Sequence, residues 1–285
     1  MKAFVLSGGG NLGASQVGAV LALMERGIEP DLLVGTSAGA INAAYLAGDP
    51  GIAGAGRLAE IWTSIRTRDV FRLPLKPWHL LSHLRGDALY HNDGLRRLLE
   101  DSLPYANIES ATLRLRIVAT DFETGGAVAL HTGPVVDAVL ASSALPGLFP
   151  PVEIAGRLHI DGGIADNVPI SPAVGAGARE VYVIRTGFDC PVNAGRLRAM
   201  DVLWRSIGLL LNRTLADDVR RFSGAARIVV LPTPCVAPTP IWNLSRSRSL
   251  IIEAHRMAGE FLDREEPDAD PDALSIGSAA TPESA

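Results

Sequence analysis

Ser37 stands in the segment Gly35-Thr36-Ser37-Ala38-Gly39, which has the pattern G-x-S-x-G. The apolar residues 31–34 before it predict a buried strand, and the small residues 38–47 after it predict a helix. This pattern between a strand and a helix is typical of a nucleophile elbow, a sharp turn that presents the serine hydroxyl. Gly35 and Gly39 remove side chains that would collide there. We predict that Ser37 is a nucleophile at a helix N-terminus, where N–H groups favour developing negative charge. The alternative is a glycine-rich turn with an incidental serine.

A second glycine-rich segment, Gly8-Gly9-Gly10-Asn11-Leu12-Gly13, joins a predicted strand over residues 3–7 to a predicted helix over residues 14–26. Its glycines fit G-x-G-x-x-G, a pattern found in dinucleotide-binding proteins. That function also requires a second strand that ends in an acidic residue. The second strand predicted here ends instead in Gly35-Thr36-Ser37. The sequence therefore favours an oxyanion hole, in which backbone N–H groups of the loop face a developing oxyanion.

A serine hydroxyl needs a base within hydrogen-bond reach. None of the six histidines stands in a sequence setting typical of a catalytic triad, and the nearest candidate, His159, is more typical of a partly exposed strand residue. Asp161 follows a short predicted strand over residues 158–160 and precedes Gly162 and Gly163, which let the backbone turn tightly. Asp161 could accept the proton of Ser37, or its side chain could only cap the turn. The residues alone leave both roles open.

The elements that must position these residues alternate along the chain. Further strands are predicted over residues 115–120, 127–131, 180–186 and 227–231, and further helices over residues 53–67, 92–102, 135–142, 199–222 and 245–262, with another begun by Pro172. This alternation predicts an α/β fold with a mostly parallel sheet and helices on both faces. In such folds ligands bind at the carboxyl ends of the strands, where the glycine loop, Ser37 and Asp161 are all expected.

Residues 70–90 combine apolar, basic and aromatic residues with two prolines. This segment is either a short insertion packed on the core or a lid or lipid-facing surface. From residue 263 the chain becomes acidic and rich in proline, so residues 263–285 are expected to be a disordered tail.

The composition limits the class of protein. A chain of 285 residues with 47% hydrophobic residues can bury a sizeable core, and a net charge of −5 argues against nucleic acid as a partner. No apolar run reaches the ~18 residues of a membrane-spanning helix, and the N-terminal apolar stretch is too short for a signal peptide. Cys190 and Cys235 are expected as reduced thiols. We expect a soluble cytoplasmic protein whose contact with a membrane, where it occurs, is peripheral.

The motifs, in order, resemble the signature of patatin-like phospholipases, and in particular of bacterial patatin-like serine lipid acyl hydrolases. They are the glycine loop, the G-x-S-x-G elbow, Ala141-Ser142-Ser143-Ala144-Leu145-Pro146 and Asp161-Gly162-Gly163. The resemblance covers residues 4–174 and implies a three-layer α/β/α sandwich with a mostly parallel central sheet. Residues 175–262 are then expected to continue the same domain.

The resemblance also implies the chemistry. It implies hydrolysis of carboxylic esters of lipids by a dyad in which Ser37 is the nucleophile and Asp161 the general base. The backbone of Gly8, Gly9, Gly10 and Asn11 would form the oxyanion hole, with the remaining motif glycines Gly13, Gly35, Gly39, Gly162 and Gly163 shaping the turns. Neither a metal ion nor a cofactor is implied, and the expected partner is a lipid or ester substrate.

One position departs from the family pattern. Leu12 stands where these enzymes usually carry Arg or Lys, so a cation that would help to bind an anionic head group is missing from the loop. Two alternatives remain at this point. One is a non-catalytic lipid-binding or regulatory module on the same fold, and the other is a dinucleotide-binding oxidoreductase.

Overall fold

The computed structural model describes residues 1–71, 88–187, 199–235, 240 and 242–264. Eight strands form one sheet in the order β5-β6-β3-β2-β1-β7-β8, and β4 pairs with β3 beside this path. The strands are β1 (Lys2–Leu6), β2 (Leu32–Thr36), β3 (Arg114–Asp121), β4 (Ala127–Leu130), β5 (Val152–Ile154), β6 (Arg157–Asp161), β7 (Glu180–Ile184) and β8 (Arg227–Val230). Strands β3, β2, β1, β7 and β8 are parallel, whereas β4, β5 and β6 are antiparallel to their neighbours. The prediction of a mostly parallel sheet is confirmed.

Helices cover both faces of this sheet. They are α1 (Gly13–Glu25), α2 (Ala38–Gly48), α3 (Gly51–Ser64), α4 (Thr67–Val70), α5 (Asp93–Ser102), α6 (Val135–Ser142), α7 (Ile170–Gly175), α8 (Ala199–Phe222) and α9 (Ser247–Leu262). Short 3-10 turns at Gly10–Leu12, Ile108–Ser110 and Gly162–Ile164 complete the regular structure of the described residues.

Alternate side chains of β1 separate the two layers of the core. Phe4 and Leu6 pack with apolar residues of α1, α2, α3, α5, α6 and α9 on one face. Ala3 and Val5 pack with residues of α7 and α8 on the other face. Successive side chains of a strand point to opposite faces, so a parallel strand buried on both faces is apolar throughout. The result is the expected three-layer α/β/α arrangement.

Most predicted elements are present with ends shifted by one to three residues, and helix α6 and helix α8 have the predicted bounds. One predicted boundary was wrong, and one strand was missed. Helix α7 begins at Ile170 rather than at Pro172, and the three-residue strand β5 was not predicted. A strand this short, directly after Pro151, gives too little alternation for a pattern to be recognised.

Cys235 is disulfide-bonded, so the expectation of two reduced thiols was wrong. Spacing along a chain does not reveal which sulfur atoms folding brings together. The proposed lid over residues 70–90 falls mostly on residues 72–87, and the proposed disordered tail mostly on residues 265–285. Both of these ranges lie outside the described residues.

Candidate active site

Ser37 occupies a sharp turn between β2 and α2, as the elbow pattern predicts. Its backbone has φ 54° and ψ −121°, a conformation that residues other than glycine rarely adopt. Gly39 is required close by, because a Cβ atom there would collide with the carbonyl oxygen of Leu6. The N–H of Ser37 donates to the Oγ of Ser142 over 2.8 Å. The strained turn is thus held from outside, by β1 and by the end of α6.

The Ser37 side chain contacts Asp161 directly. Its Oγ lies 2.6 Å from Asp161 Oδ2, and Asp161 Oδ1 accepts the N–H of Gly163 over 2.8 Å. One carboxylate oxygen of Asp161 thus contacts the serine while the other caps the turn, so the geometry allows both roles that the sequence left open. Among the described histidines, His159 is buried and its Nδ1 lies 3.0 Å from the carbonyl oxygen of Arg157, so it is not the partly exposed residue that was expected.

Asp161 is only 4% exposed, and this burial favours the protonated form of its carboxyl group. Loss of hydration raises the pKa of its carboxyl group to about 6, although the hydrogen bonds from Ser37 and Gly163 oppose the shift. An acid with a pKa close to neutral can take up a proton and return it within one reaction cycle. The carboxylate is therefore suited to act as a base at neutral pH and then as an acid.

The glycine loop lies beside this pair, but one of its predicted donors is occupied. The N–H of Gly8 donates to the carbonyl oxygen of Asn167 over 3.1 Å, so Gly8 was wrongly included among the oxyanion-hole donors. The N–H groups of Gly9 and Gly10 have no hydrogen-bond partner among the described residues. A Cβ atom on Gly9 would collide with Thr186, whose hydroxyl donates to the Gly8 carbonyl over 2.6 Å. The loop is thus clamped from two sides while two of its donors stay available.

Asn11 fixes the other end of the loop. Its side-chain nitrogen donates to the carbonyl oxygens of Pro240 over 3.3 Å and Asn243 over 2.9 Å. Leu12, the position that departs from the family pattern, packs against the hydrophobic core. An apolar residue here therefore contributes to packing of the loop.

A chain of buried side-chain amides contacts both ends of the glycine loop and the neighbouring strand ends. Gln16 Nε2 donates to the carbonyl oxygens of Ser7 and Ile184 over 2.8 and 3.0 Å, at the ends of β1 and β7. Asn42 Nδ2 donates to Gln16 Oε1 over 2.8 Å and to the Gly13 carbonyl over 2.9 Å. Both donor hydrogens of each amide are used, so the chain is fully satisfied.

Trp62 completes this chain, because its Nε1 donates to Asn42 Oδ1 over 2.8 Å. Trp62 also lines a cavity of about 110 Å³ that opens beside Ser37 and Asp161. Most of the cavity wall is aliphatic or aromatic, as at Ile41, Leu95, Leu99 and Phe149. Phe71 stacks on Phe149 with ring centroids 5.4 Å apart. The site therefore joins a polar dyad to an apolar cavity.

Sequence reasoning missed the roles of Ser142 and Asn167. Ser142 is fully buried, accepts the Ser37 N–H and donates to the carbonyl oxygen of Val118. Its place in Ala141-Ser142-Ser143-Ala144 marked it as part of a motif but did not show what it touches. Asn167 follows Asp161-Gly162-Gly163 by four residues, and only the fold shows that its carbonyl reaches Gly8.

The model of the Patatin-like phospholipase family matches residues 4–174 of this chain. The chain belongs to the patatin-like phospholipase family. The segments that contain Ser37 and Asp161 lie within the matched residues, as do strands β2 to β6. Family membership and the three-layer architecture together confirm the predicted fold class, and they remove the basis for the dinucleotide-binding alternative.

Several curated relatives are similar over part of their length. An uncharacterized NTE family protein of Mycobacterium tuberculosis is 35% identical over 179 residues, which are 62% of this chain and 46% of that protein. Lysophospholipase nte1 of Aspergillus terreus is 32% identical over 191 residues, 64% of this chain and 12% of the fungal protein. Patatin-like phospholipase domain-containing protein 7 of Rattus norvegicus is 32% identical over 188 residues, 65% of this chain and 13% of the rat protein. The chain thus spans less than half the length of these relatives.

Among solved structures, VipD from Legionella pneumophila aligns with a TM-score of 0.49 and 17% sequence identity, covering 92% of this chain and 66% of VipD.

None of the helices within the described residues is long and apolar enough to cross a bilayer. The described part of the chain also holds no group of three or more His, Cys, Asp or Glu side chains placed to bind a metal ion.

Proposed function

We propose that this chain hydrolyses carboxylic ester bonds of lipids through a Ser37–Asp161 dyad. The observation that carries the proposal is the 2.6 Å contact between Ser37 Oγ and Asp161 Oδ2, since both residues line an apolar cavity. A buried carboxylate in contact with a serine at a nucleophile elbow is the pairing that activates a hydroxyl for acyl transfer. Membership of the patatin-like phospholipase family, and relatives named lysophospholipases, support a lipid as the substrate.

In the proposed reaction, Ser37 Oγ attacks the ester carbonyl carbon while Asp161 takes its proton. The N–H groups of Gly9 and Gly10, beside Asn11, stabilise the oxyanion. Asp161 then protonates the alkoxy oxygen as the carbon–oxygen bond breaks, and the alcohol leaves. Water, deprotonated by Asp161, hydrolyses the acyl-enzyme and regenerates both residues. Losing one good oxyanion donor typically lowers the rate by about 10²–10³.

We assign the apolar cavity to the acyl chain of the substrate. Its aliphatic and aromatic wall reaches Ser37 and contains few polar groups, which suits a hydrocarbon chain and not a charged head group. Position 12 carries leucine, so the loop offers no cation there to an anionic head group. We therefore expect the acyl chain to contribute more to binding than the head group.

Two further features of the molecule bear on the extent of the catalytic domain and on contact with a lipid surface. Strand β7 pairs with β1, and α9 packs on α1, so we propose that residues 175–262 complete the catalytic domain.

Ile164 lies three residues after Asp161 and is 60% exposed, which would allow the edge of the site to touch a lipid surface. We propose that such membrane contact is peripheral.

The test is release of fatty acid from a p-nitrophenyl ester and from lysophosphatidylcholine, with wild type, Ser37→Ala and Asp161→Asn compared. Loss of activity in both variants, with circular dichroism unchanged, supports the dyad. A non-catalytic lipid-binding module would bind vesicles and release no fatty acid, and its binding would not depend on the Ser37 hydroxyl. Activity that survives Ser37→Ala would overturn the proposal.

A further inference from the structure

The hydroxyl of Ser143 has no hydrogen-bond partner among the described residues, although it is buried. Ser143 is 7% exposed and lines the same cavity as Ser37 and Asp161. A buried hydroxyl that has given up its hydrogen bonds to water and gained none lowers the stability of the fold. An unpaired group of this kind inside a binding cavity points to a ligand atom that completes it.

The neighbours of Ser143 on both sides hold the dyad. Ser142 Oγ accepts the N–H of Ser37 over 2.8 Å, and the carbonyl oxygen of Ala144 accepts the N–H of Asp161 over 2.9 Å. The backbone of Ser143 itself is satisfied, because its N–H donates to Val139 over 3.0 Å and its carbonyl accepts from Leu145 over 2.9 Å. Ser143 is therefore fixed between the anchors of the two dyad residues, and within the described ranges its hydroxyl alone lacks a partner.

We propose that the Ser143 hydroxyl contacts the substrate and donates a hydrogen bond to the alkoxy oxygen of the bound ester. This inference rests on the proposed ester hydrolysis. The carbonyl oxygen of the ester already has its donors in the N–H groups of Gly9 and Gly10. Asp161 must reach the alkoxy oxygen to protonate it, and Ser143 is tied to the backbone of Asp161 through Ala144.

The contribution to the reaction is a hydrogen bond, and no atom of Ser143 is transferred. The bond from Ser37 Oγ to the carbonyl carbon forms, the bond from that carbon to the alkoxy oxygen breaks, and the proton that Asp161 took from Ser37 goes to the departing oxygen. The Ser143 proton stays on Ser143 and stabilises the negative charge that builds on the alkoxy oxygen before protonation is complete.

The experiment compares kcat/KM of wild type and Ser143→Ala on two esters with the same acyl group, ethyl butyrate and p-nitrophenyl butyrate. The ethyl ester has a poor leaving group that needs help at the alkoxy oxygen, whereas p-nitrophenolate departs without it. We expect Ser143→Ala to lower kcat/KM about tenfold on ethyl butyrate, as for one lost hydrogen bond to developing charge, and less than about threefold on p-nitrophenyl butyrate.

Urea unfolding distinguishes a substrate contact of the Ser143 hydroxyl from a purely structural role of this residue. Ser143→Ala removes a hydroxyl that makes no hydrogen bond to the part of the chain that the structure describes, so the urea midpoint of this variant should equal or exceed that of wild type. Ser142→Ala is the matched control, since it removes the same atom from the adjacent residue but breaks two buried hydrogen bonds. It should lower the urea midpoint and slow both esters equally.

An unchanged kcat/KM of Ser143→Ala on both esters would overturn the proposal. Equal losses on both esters would also overturn it, because the contact would then involve the carbonyl group or the acyl chain. Wild type that hydrolyses neither ester, and is indistinguishable from Ser37→Ala, would instead refute the proposed function.

Discussion

Thr36 and Asp161 pair with consecutive residues of one strand, Thr36 with Val118 and Asp161 with Ala119 of β3. Strand β2 runs parallel to β3 and ends at Thr36, whereas β6 runs antiparallel to it and ends at Asp161. Strand β4 pairs with β3 at both Val118 and Ala119, so β2 and β6 share the opposite edge and meet end to end. Ser37, the first residue after β2, therefore meets the Asp161 carboxylate because of the register of the sheet.

The proposed activity should depend on pH through Asp161. Burial raises the pKa of Asp161 to about 6, and the protonated acid cannot accept the Ser37 proton. We therefore expect kcat/KM to rise with pH through a midpoint near 6 and to level off above it, whereas an unperturbed aspartate would give a midpoint of about 4. The measurement is kcat/KM for a p-nitrophenyl ester between pH 4 and 9, with released fatty acid quantified directly.

Asp166→Asn is the control for this profile. Burial, together with the charge of Asp218, raises the pKa of Asp166 to about 7, so Asp166 titrates in the same range. Its side chain is absent from the cavity lining, and substitution leaves intact its backbone carbonyl, which accepts from Thr36. The midpoint should stay in place in this variant, and a shifted midpoint would assign the titration to Asp166.

Removing the charge of Asp161 should stabilise the fold at neutral pH. The folded state binds the Asp161 proton with a pKa of about 6 against an ordinary value of 3.8, so it holds more protons than the unfolded chain between these values. Stability therefore falls as pH rises through this window. At pH 8, Asp161→Asn should raise the free energy of unfolding by about 2–3 kcal/mol, and at pH 3.5 the gain should vanish.

Urea unfolding at the two pH values measures this difference, and Asp121→Asn provides a control of opposite sign. Asp121 is also buried, but Arg157 lies 2.7 Å from its carboxylate, and hydrogen bonds from Thr124 keep its pKa below the usual value. Its charge stabilises the fold, so Asp121→Asn should lower stability at pH 8. Equal effects of the two substitutions at pH 8 would contradict our account of Asp161.

The amide chain beneath the glycine loop should show energetic coupling. Trp62→Phe keeps an aromatic wall in the cavity but leaves Asn42 Oδ1 buried without its donor, which should cost about 1–3 kcal/mol of unfolding free energy. In an Asn42→Ala background the same substitution should cost only the change in packing. A double-mutant cycle from urea unfolding measures the difference, and additive losses would rule out the coupling.

The sequence was sufficient to predict the elbow, the layers and the position of Asp161 at the end of a strand, because each depends on a local pattern of strand, glycine and helix. The role of Asp161 stays a prediction. The sequence could not predict that the Gly8 N–H is occupied, since the partner carbonyl lies at Asn167 and reaches Gly8 only after folding. Ser142 and Ser143 show the same limit of sequence-based prediction more clearly. They are identical in type and adjacent, yet one hydroxyl makes two hydrogen bonds while the other has no partner among the described residues. A single residue step along the end of α6 turns the side chain to a different environment.

The backbone conformation of Ser37 lowers the stability of the fold, whereas the proposed reaction needs the hydroxyl at this position. Selection for stability and selection for the reaction therefore favour different residues here. At φ 54° and ψ −121° a glycine would relax the turn, whereas any residue with a Cβ atom carries strain of about 1–3 kcal/mol there. Drift under selection for stability alone would favour glycine at position 37 and would erase the hydroxyl. A serine at this position is the outcome expected where the hydroxyl itself has been selected.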